Sequence, residues 1–203
     1  MEYLVTMTTH VPDGTPEAAV QDIRAREAAH SRELAAQGHL LRLWRPPLQP
    51  GEWRSLGLFA AGDADQLEAV LASMPLRVWR TDEVTPLVPH PNDPAPGPGR
   101  PAAPAAAAEF LVTFIRAVPA GTPGAAVEDA EAREARAARE LGEQGHLVRL
   151  WALPGFGRAL GLWRAQDAAA LEAIITALPP YDFLTVEITP LTPHPSDPAL
   201  TSG

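Results

Sequence analysis

The chain has 203 residues, 23 of them proline, and its 16 Lys and Arg residues against 25 Asp and Glu residues give a formal net charge of −9. So acidic a chain without a basic cluster is a poor partner for nucleic acid or an anionic membrane surface. The absence of cysteine excludes disulfides, thiolate zinc sites and thiol nucleophiles. Apolar runs are far too short for a membrane span and the first residues do not resemble a leader, so we expect a soluble cytoplasmic protein.

The most informative feature is a repeat that covers almost the whole chain. Of the 43 positions from 2 to 44, 27 are identical at 109–151. The Pro-His-Pro-x-Asp-Pro motif at 89–94 recurs at 193–198, with an offset that is three residues shorter. Identity at this level indicates two copies of one homologous unit.

The repeat predicts the domain organisation. We expect a first domain at residues 1–93 and a second at 109–203. Residues 94–108 between them are almost wholly Pro, Ala and Gly, a composition typical of a semi-rigid linker that makes few packed contacts.

Hydrophobic patterning and turn residues predict the elements of the first copy in chain order. They are a strand at 3–8, a helix at 16–37, strands at 40–45 and 53–61, a helix at 63–74 and a strand at 80–88. Thr15 is the expected N-cap of the first helix, with Pro16 at its first position and Gly38 just beyond its end. Asp63 is the expected N-cap of the second helix, and Pro75 stops it.

The order βαββαβ predicts a ferredoxin-like α+β unit. Four strands covered by helices on one side leave an open sheet face, and the second copy offers an equivalent face. We therefore expect two ferredoxin-like βαββαβ domains in tandem, packed as an intramolecular pseudo-twofold dimer, with further homo-oligomerisation left open.

A carboxylate interrupts the apolar stripe of the first helix. Glu27 follows Ile23 by one turn and shares its face with Leu34, and Glu134 repeats this placement in the second copy. A carboxylate on a core-facing stripe costs several kcal/mol unless it is paired or its pKa is raised. Glu27 and Glu134 are therefore candidate general bases in an apolar pocket, and the alternative is a structural ion pair with an arginine such as Arg42.

An arginine and a tryptophan lie two apart on the second strand. Alternation puts Leu40, Arg42 and Trp44 on one face and Leu43 and Arg45 on the other. One interpretation is a cation–π or packing pair. The other is an arginine that holds a substrate carboxylate or enolate, with the indole as the pocket wall.

The second copy keeps only part of this arrangement. Arg149 and Trp151 repeat the arginine–tryptophan pair, but Ala152 stands where the first copy has Arg45. Whatever Arg45 does is therefore done in one copy only.

The histidines divide into three groups. His39 and His146 follow the helix-ending glycines, and we expect them to bond free carbonyls at the helix end. His90 and His194 lie in the proline-rich tails, where they could dock across the domain pair or make structural contacts. His30 follows the helix glutamate by one turn and has no counterpart. No spacing typical of a metal site and no nucleotide-binding motif is present, so we expect neither a metal nor a cofactor.

Each copy resembles the muconolactone delta-isomerase family. The matching features are the strand at 4–8, Ala25-Arg26-Glu27, Gly38-x4-Leu43-Trp44-Arg45, Asp63-x3-Leu67, Met74-Pro75-Leu76 and Leu87-x2-His90-Pro91. The resemblance implies a ferredoxin-like fold, dimers that assemble further, and cofactor-free isomerisation of a small unsaturated lactone. It also implies that the helix glutamate transfers the proton.

We therefore expect a cofactor-independent isomerase of aromatic catabolism or secondary metabolism. It would shift a double bond in a small unsaturated lactone, or a related enolisable carbonyl compound, by glutamate-mediated proton transfer. One alternative is a cyclase or dehydratase that acts on a larger secondary-metabolite intermediate, and another is a non-catalytic ligand-binding or scaffold protein. The volume of the pocket, and a glutamate that lines it, would separate these alternatives.

The residues expected to form the sites follow from these patterns. Glu27 and Glu134 are the proposed proton-transfer groups. The residues expected to bind the substrate are Arg42, Trp44, Arg45, His30, His90, Arg149, Trp151 and His194. We expect the first copy's pocket to be the main working site, because only that copy has Arg45 and His30.

Overall fold

The computed structural model describes residues 1–94, 107–179 and 183–200. The chain divides into two compact units, one formed by Met1–Leu87 with Thr192–Gly203 and the other by Val88–Leu191. Most of the expected linker at 94–108 lies outside the described residues, so its lack of packed contacts stays a prediction.

The first unit has the predicted βαββαβ order. Its elements are β1 (Glu2–Thr9), α1 (Glu17–Ala36), β2 (Leu40–Arg45), β3 (Arg54–Ala60), α2 (Ala64–Ser73), a 3₁₀ helix (Pro75–Trp79) and β4 (Arg80–Pro89). The four strands form an antiparallel sheet in the order β4-β1-β3-β2.

The second unit repeats this arrangement. Its elements are β5 (Ala108–Arg116), α3 (Gly124–Glu143), β6 (Leu147–Ala152), β7 (Arg158–Ala165), α4 (Ala168–Thr176) and β8 (Leu184–Pro193). Its antiparallel sheet has the order β8-β5-β7-β6. The prediction of two tandem ferredoxin-like α+β halves is confirmed. The packing of the two halves about a pseudo-twofold axis stays a prediction.

The repeat tails are exchanged between the two units. The end of β8 belongs to the first unit, where Pro193 and Thr192 pair with Trp44 and Arg45 of β2. The end of β4 belongs to the second unit, where it pairs with the end of β6. Each Pro-His-Pro motif therefore lies beside the second strand of the other copy.

Local signals explain where the helices begin and end. Asp63 accepts a backbone N–H at the start of α2, as predicted. Gly38 has φ +76 just after α1, a left-handed conformation that favours glycine. The prediction for Thr15 was wrong: Pro16 is the N-cap residue, and the Thr15 hydroxyl donates to the Pro12 carbonyl at 2.6 Å.

Strand β2 departs from strict alternation at its start. Its register against β3 shifts between Leu40 and Arg42, which marks a β-bulge. Leu40 and Leu43 consequently pack into the same core cluster. The prediction that Leu40 shares a face with Arg42 and Trp44 was therefore wrong.

Each unit has its own core between its sheet and its helices. The first core includes Tyr3, Val5, Leu34, Phe59, Leu67 and Leu71. The second includes Phe110, Val112, Leu147, Trp163, Leu171 and Ile175. Among the described residues, the helices are too short or too polar to cross a membrane.

Candidate active site

The first unit contains a cavity of about 190 Å³ that opens beside α1. Its apolar wall includes Met7, Leu43, Met74 and Leu76, and its polar wall includes Arg24, Glu27, Arg45, Arg80 and His194. Drug-sized pockets usually measure about 300–1,000 Å³, so this cavity accepts only a small molecule.

Glu27 is the acidic side chain of this cavity, and both of its carboxylate oxygens are bonded. Oε2 accepts the Leu76 N–H at 2.8 Å, and Oε1 accepts from Arg80 Nη1 at 3.1 Å. The Leu76 N–H is available because the first amides of a helix have no partner within it. The arginine that forms an ion pair with Glu27 is therefore Arg80, and not Arg42 as the sequence suggested.

Arg80 is itself held rigidly. Its Nε and Nη2 donate to the two Asp82 oxygens at 2.6 and 3.0 Å, a bidentate pair. The side chain of Arg80 is 2% exposed, against 13% for Glu27. The guanidinium therefore keeps one carboxylate partner when Glu27 changes its charge.

Burial raises the pKa of Glu27 above its usual range. The Leu76 N–H and the charges of Arg80 and His30 act against this shift, and the nearby Asp82 adds to it. A buried carboxylate that stays ionised through such bonds is a stronger base than an exposed one.

Two more arginines give the cavity a positive wall. Arg45 and Arg24 both line it, and the Arg24 guanidinium lies 5.3 Å from the centre of the Trp53 ring. Arginine stays protonated and presents a planar set of donors that suits a carboxylate. The arrangement can bind a small anion beside Glu27.

His194 closes the same cavity from the tail at 192–200. Burial and the charge of Arg45 lower the pKa of this imidazole to about 4, with Arg24 adding to the shift and Asp197 opposing it. Its Nδ1 accepts the Ser196 N–H at 3.1 Å. The neutral ring therefore carries its proton on Nε2, where it is a donor.

Arg42 and Trp44 hold this tail in place and do not line the cavity. The Arg42 guanidinium lies 4.7 Å from the Trp44 ring centre and donates to the fully buried Asp197 at 3.0 Å. Asp197 also accepts the Leu43 N–H at 3.1 Å. Of the two interpretations of this pair, the geometry matches the cation–π and packing contact.

The other histidines of the first copy lie away from the cavity lining. His30 bonds Glu33 at 2.9 Å and Ser73 at 2.8 Å, so it acts on Glu27 only through its charge. The prediction that the His39 ring bonds a free carbonyl at the end of the helix was wrong. Its Nδ1 bonds the Ala60 carbonyl at the end of β3, at 3.0 Å, and not a carbonyl of α1. His146 bonds a β7 carbonyl in the same way.

The second unit has a larger cavity, of about 510 Å³, in the equivalent place. Its lining includes His90, Phe114, Arg116, Glu131, Glu134, Leu150, Ala152, Trp163, Leu178 and Leu184. Burial raises the pKa of Glu134, and the charge of Arg116 opposes the shift while that of Glu131 adds to it.

Glu134 lacks the partners that Glu27 has. In the second copy, Leu184 is equivalent to Arg80. Pro180 is equivalent to Leu76, and a proline has no backbone N–H to donate. In the part of the chain that the structure describes, Arg116 instead pairs with Glu131, not with Glu134. The two carboxylates therefore occupy different electrostatic surroundings.

The second unit also receives an exchanged tail. Arg149 donates to Asp93 at 3.1 Å and lies 4.9 Å from the Trp151 ring centre, so this pair repeats the tail-holding contact. His90 lines the cavity, and burial lowers its pKa against the opposing charge of Asp93.

Sequence reasoning did not name Arg24, Arg80 or Asp197 as site residues. The change of Arg80 to Leu184 between copies was a usable signal, because a charged residue replaced by an apolar one marks a position where the two copies differ chemically. Asp197 and its counterpart Asp93 both lie in the recurring Pro-His-Pro-x-Asp-Pro motif. Their partners could not be found without the strand exchange.

The fold and cavities define a tandem ferredoxin-like protein with a small-molecule cavity in each unit. The family model for muconolactone delta-isomerase matches residues 1–93 and 108–197. The chain therefore belongs to the muconolactone delta-isomerase family, and the prediction of an isomerase is confirmed.

Individual relatives each match the length of one copy. A muconolactone delta-isomerase of Cupriavidus pinatubonensis is 36% identical over 92 residues, which are 45% of this chain and 97% of that protein. Muconolactone delta-isomerase 1 of Acinetobacter lwoffii is 33% identical over 92 residues, 45% of this chain and 93% of that protein.

Solved structures resemble the chain over nearly its full length. A chlorite dismutase of Candidatus Nitrospira defluvii has a TM-score of 0.61 at 9% identity, and the match covers 95% of this chain and 91% of the dismutase chain. A heme-binding protein of Thermus thermophilus has a TM-score of 0.56 at 13% identity, covering 94% and 92%. At these identities the likeness shows the fold alone.

Proposed function

We propose that the first unit is a cofactor-independent isomerase site that shifts a double bond in a small unsaturated lactone carrying a carboxylate. The observation that carries this proposal is the single cavity that holds Glu27, Arg45 and His194 together. Membership of the muconolactone delta-isomerase family supports it.

The reaction needs one base that takes a proton and returns it elsewhere. The Glu27 carboxylate removes a proton from a carbon next to the lactone carbonyl, or vinylogous to it, and the electron pair moves into the carbonyl to form a dienolate. Protonated Glu27 then delivers the same proton to another carbon of the dienolate, and the double bond has moved. No proton or electron is gained or lost overall.

The partners of Glu27 suit both halves of this transfer. Arg80 and the Leu76 N–H stabilise the ionised form, while burial favours the protonated form. When Glu27 is protonated, Arg80 keeps its bidentate pair with Asp82. The two charge states of Glu27 are therefore closer in free energy than for an exposed glutamate.

Arg45 and His194 supply the remaining interactions. Arg45, with Arg24 in the lining of the same cavity, binds the substrate carboxylate. The neutral His194 ring donates its Nε2–H to the oxygen on which negative charge develops. A neutral donor suits this role because it stabilises the dienolate without forming a permanent ion pair.

The cavity volume favours isomerisation of a small substrate over the cyclase or dehydratase alternative. A volume of about 190 Å³ leaves little space for a large secondary-metabolite intermediate. The direct test is incubation of the protein with muconolactone while the ultraviolet spectrum is followed. Turnover without an added cofactor supports the proposal, and an unchanged spectrum at high protein concentration contradicts it.

A further inference from the structure

The cavity of the second unit keeps two polar groups of the first and changes their surroundings. Glu134 and His90 occupy the repeat positions of Glu27 and His194 and line the second cavity. Five other lining residues of the first cavity are replaced by smaller or apolar ones: Ser31 by Ala138, Arg45 by Ala152, Trp53 by Gly157, Ser55 by Ala159 and Arg80 by Leu184. The volume is about 510 Å³ instead of about 190 Å³, which suits a larger ligand.

Glu134 is a half-buried carboxylate without a hydrogen-bond partner in the described part of the chain. The charge of Arg116 acts on it, but that guanidinium forms its ion pair with Glu131. Glu27, by contrast, has both of its oxygens bonded within the protein. A carboxylate that no protein group holds is available to a ligand in the cavity.

His90 supplies this cavity with a neutral hydrogen-bond donor. Its Nδ1 accepts the Asn92 N–H at 3.1 Å, and burial lowers the pKa of the ring. The neutral imidazole therefore carries its proton on Nε2. His194 has the same arrangement in the first unit, so each cavity contains a glutamate and a neutral imidazole donor.

Two arginines line the second cavity, and they differ in their partners. Arg116 forms an ion pair with Glu131, which neutralises its charge. Arg158 is exposed, donates to the Pro154 carbonyl at 3.4 Å, and has no carboxylate partner among the described residues. Its guanidinium is therefore available to bind the carboxylate of a ligand.

The arginine available to a ligand comes from a different strand in each unit. Arg45 ends β2, whereas Ala152 ends β6 and Arg158 begins β7. The repeat counterpart of Arg158 is Arg54, which pairs with Glu52 at 3.4 Å and is not among the described residues that line the first cavity. Arg158 is exposed and Arg45 is half-buried, so the positive charge of the second cavity is closer to solvent.

We propose that the second unit is a second proton-transfer site, for an unsaturated lactone acid larger than the substrate of the first site, and this proposal rests on the function proposed for the first unit. Glu134 is the base, His90 donates to the oxygen on which negative charge develops, and Arg158 binds the carboxylate. The apolar body of the substrate packs against Phe114 and Leu184, which line the same cavity.

The proton transfer follows the same balance as in the first unit. The Glu134 carboxylate takes a proton from the carbon next to the lactone carbonyl, and the electron pair moves into the carbonyl to form a dienolate. The His90 Nε2–H bonds the dienolate oxygen. Protonated Glu134 then returns the proton to the far carbon of the dienolate, and the double bond has moved.

The test uses the full chain and 4-(5-oxo-4,5-dihydrofuran-2-yl)benzoate, an unsaturated aryl lactone with a remote carboxylate. Its isomerisation separates the double bond from the aromatic ring, so its long-wavelength ultraviolet absorbance falls. Glu134→Gln should lower kcat for this probe about 10²–10⁴-fold, and Glu27→Gln should lower it much less. The proposal is overturned if the protein does not accelerate the change, or if Glu27→Gln causes an equal or larger loss.

A second variant tests the carboxylate contact. Arg158→Ala should lower kcat/KM for the probe roughly ten- to a hundredfold and leave kcat/KM for its neutral methyl ester unchanged. The matched control is Arg54→Ala, the repeat counterpart, which should change neither value. Circular dichroism checks that each variant folds. Equal kcat/KM values for Arg158→Ala and Arg54→Ala with the probe would overturn the role of Arg158.

Muconolactone, as a second substrate, separates the two sites. Turnover of muconolactone without turnover of the aryl lactone overturns the second site and leaves the function proposed for the first unit in place. Turnover of the aryl lactone that depends on Glu134, without turnover of muconolactone, overturns the function proposed for the first unit and supports the second site.

Discussion

Glu27 combines burial with two strong hydrogen bonds, and this combination distinguishes it from an ordinary surface glutamate. Desolvation raises its pKa, while the Leu76 N–H and Arg80 limit the rise. Because these influences oppose one another, the pKa of Glu27 rises less than burial alone would raise it. Removal of any one partner should shift this balance.

Arg45 should contribute directly to binding of an anionic substrate. A charge-assisted hydrogen bond is worth about 1.5–3 kcal/mol, so Arg45→Ala should lower kcat/KM roughly ten- to a hundredfold. Arg32→Ala is the matched control, since Arg32 is exposed on α1 and bonds the Ala28 carbonyl. Steady-state kinetics measures kcat/KM for both variants. Equal kcat/KM values for Arg45→Ala and Arg32→Ala would show that Arg45 does not bind the substrate.

His194 should make the stability of the protein depend on pH. Its pKa is about 4 in the folded state and about 6.5 when exposed, so between these values the unfolded chain binds a proton that the folded chain does not. The free energy of unfolding should therefore fall as the pH drops from about 6.5 to about 4. His194→Gln should make this dependence shallower.

Urea unfolding at pH 4, 5, 6 and 7 measures the effect of His194. His10→Gln is the control, because His10 is exposed. The same pH dependence in the wild type and His194→Gln would show that the histidine is not buried as described.

At the scale of elements, the exchanged tails complete both cavities. The turn from His194 to Asp197 places an imidazole at the cavity and a carboxylate under Arg42, joined by an Asp197 N–H bond to the His194 carbonyl at 2.7 Å. The tail thus positions a site residue through a contact outside the cavity. The second unit repeats this device with His90 and Asp93.

Asp197→Asn should destabilise the first unit and displace His194. Asparagine keeps the shape of the side chain but removes its charge, so the buried ion pair between Asp197 and Arg42 is lost, which costs about 3 kcal/mol. The matched variant Asp93→Asn alters the equivalent contact with Arg149. Both should lower the midpoint of urea unfolding, but only Asp197→Asn should also lower isomerase activity strongly. Equal activity losses would show that the tails do not serve separate sites.

The elements were predictable because they depend on local signals. Asp63, Gly38 and Pro75 mark helix ends through interactions with residues a few positions away, and the structure has them as expected. The bulge after Leu40 and the partner of Asp197 depend on contacts between distant segments. Alternation within one strand carries no information about these contacts, so they could not be predicted from the sequence.

At the scale of the whole molecule, the two copies of the duplicated unit contain chemically different cavities. The first is small and positively charged around Glu27, whereas the second is larger and mostly apolar around Glu134. Sequence comparison of the copies predicted an asymmetry from Arg45 and Ala152. It did not predict the change in volume, because the residues that line each cavity come from separate segments of the chain.

The most direct measurement compares Glu27→Gln with Glu134→Gln in the muconolactone assay. Glutamine preserves the shape of the side chain but cannot act as a base, so Glu27→Gln should lower kcat about 10²–10⁴-fold. Glu134→Gln should cause a much smaller loss. Equal losses from the two substitutions, or a larger loss from Glu134→Gln, would contradict the assignment of isomerisation to the first unit.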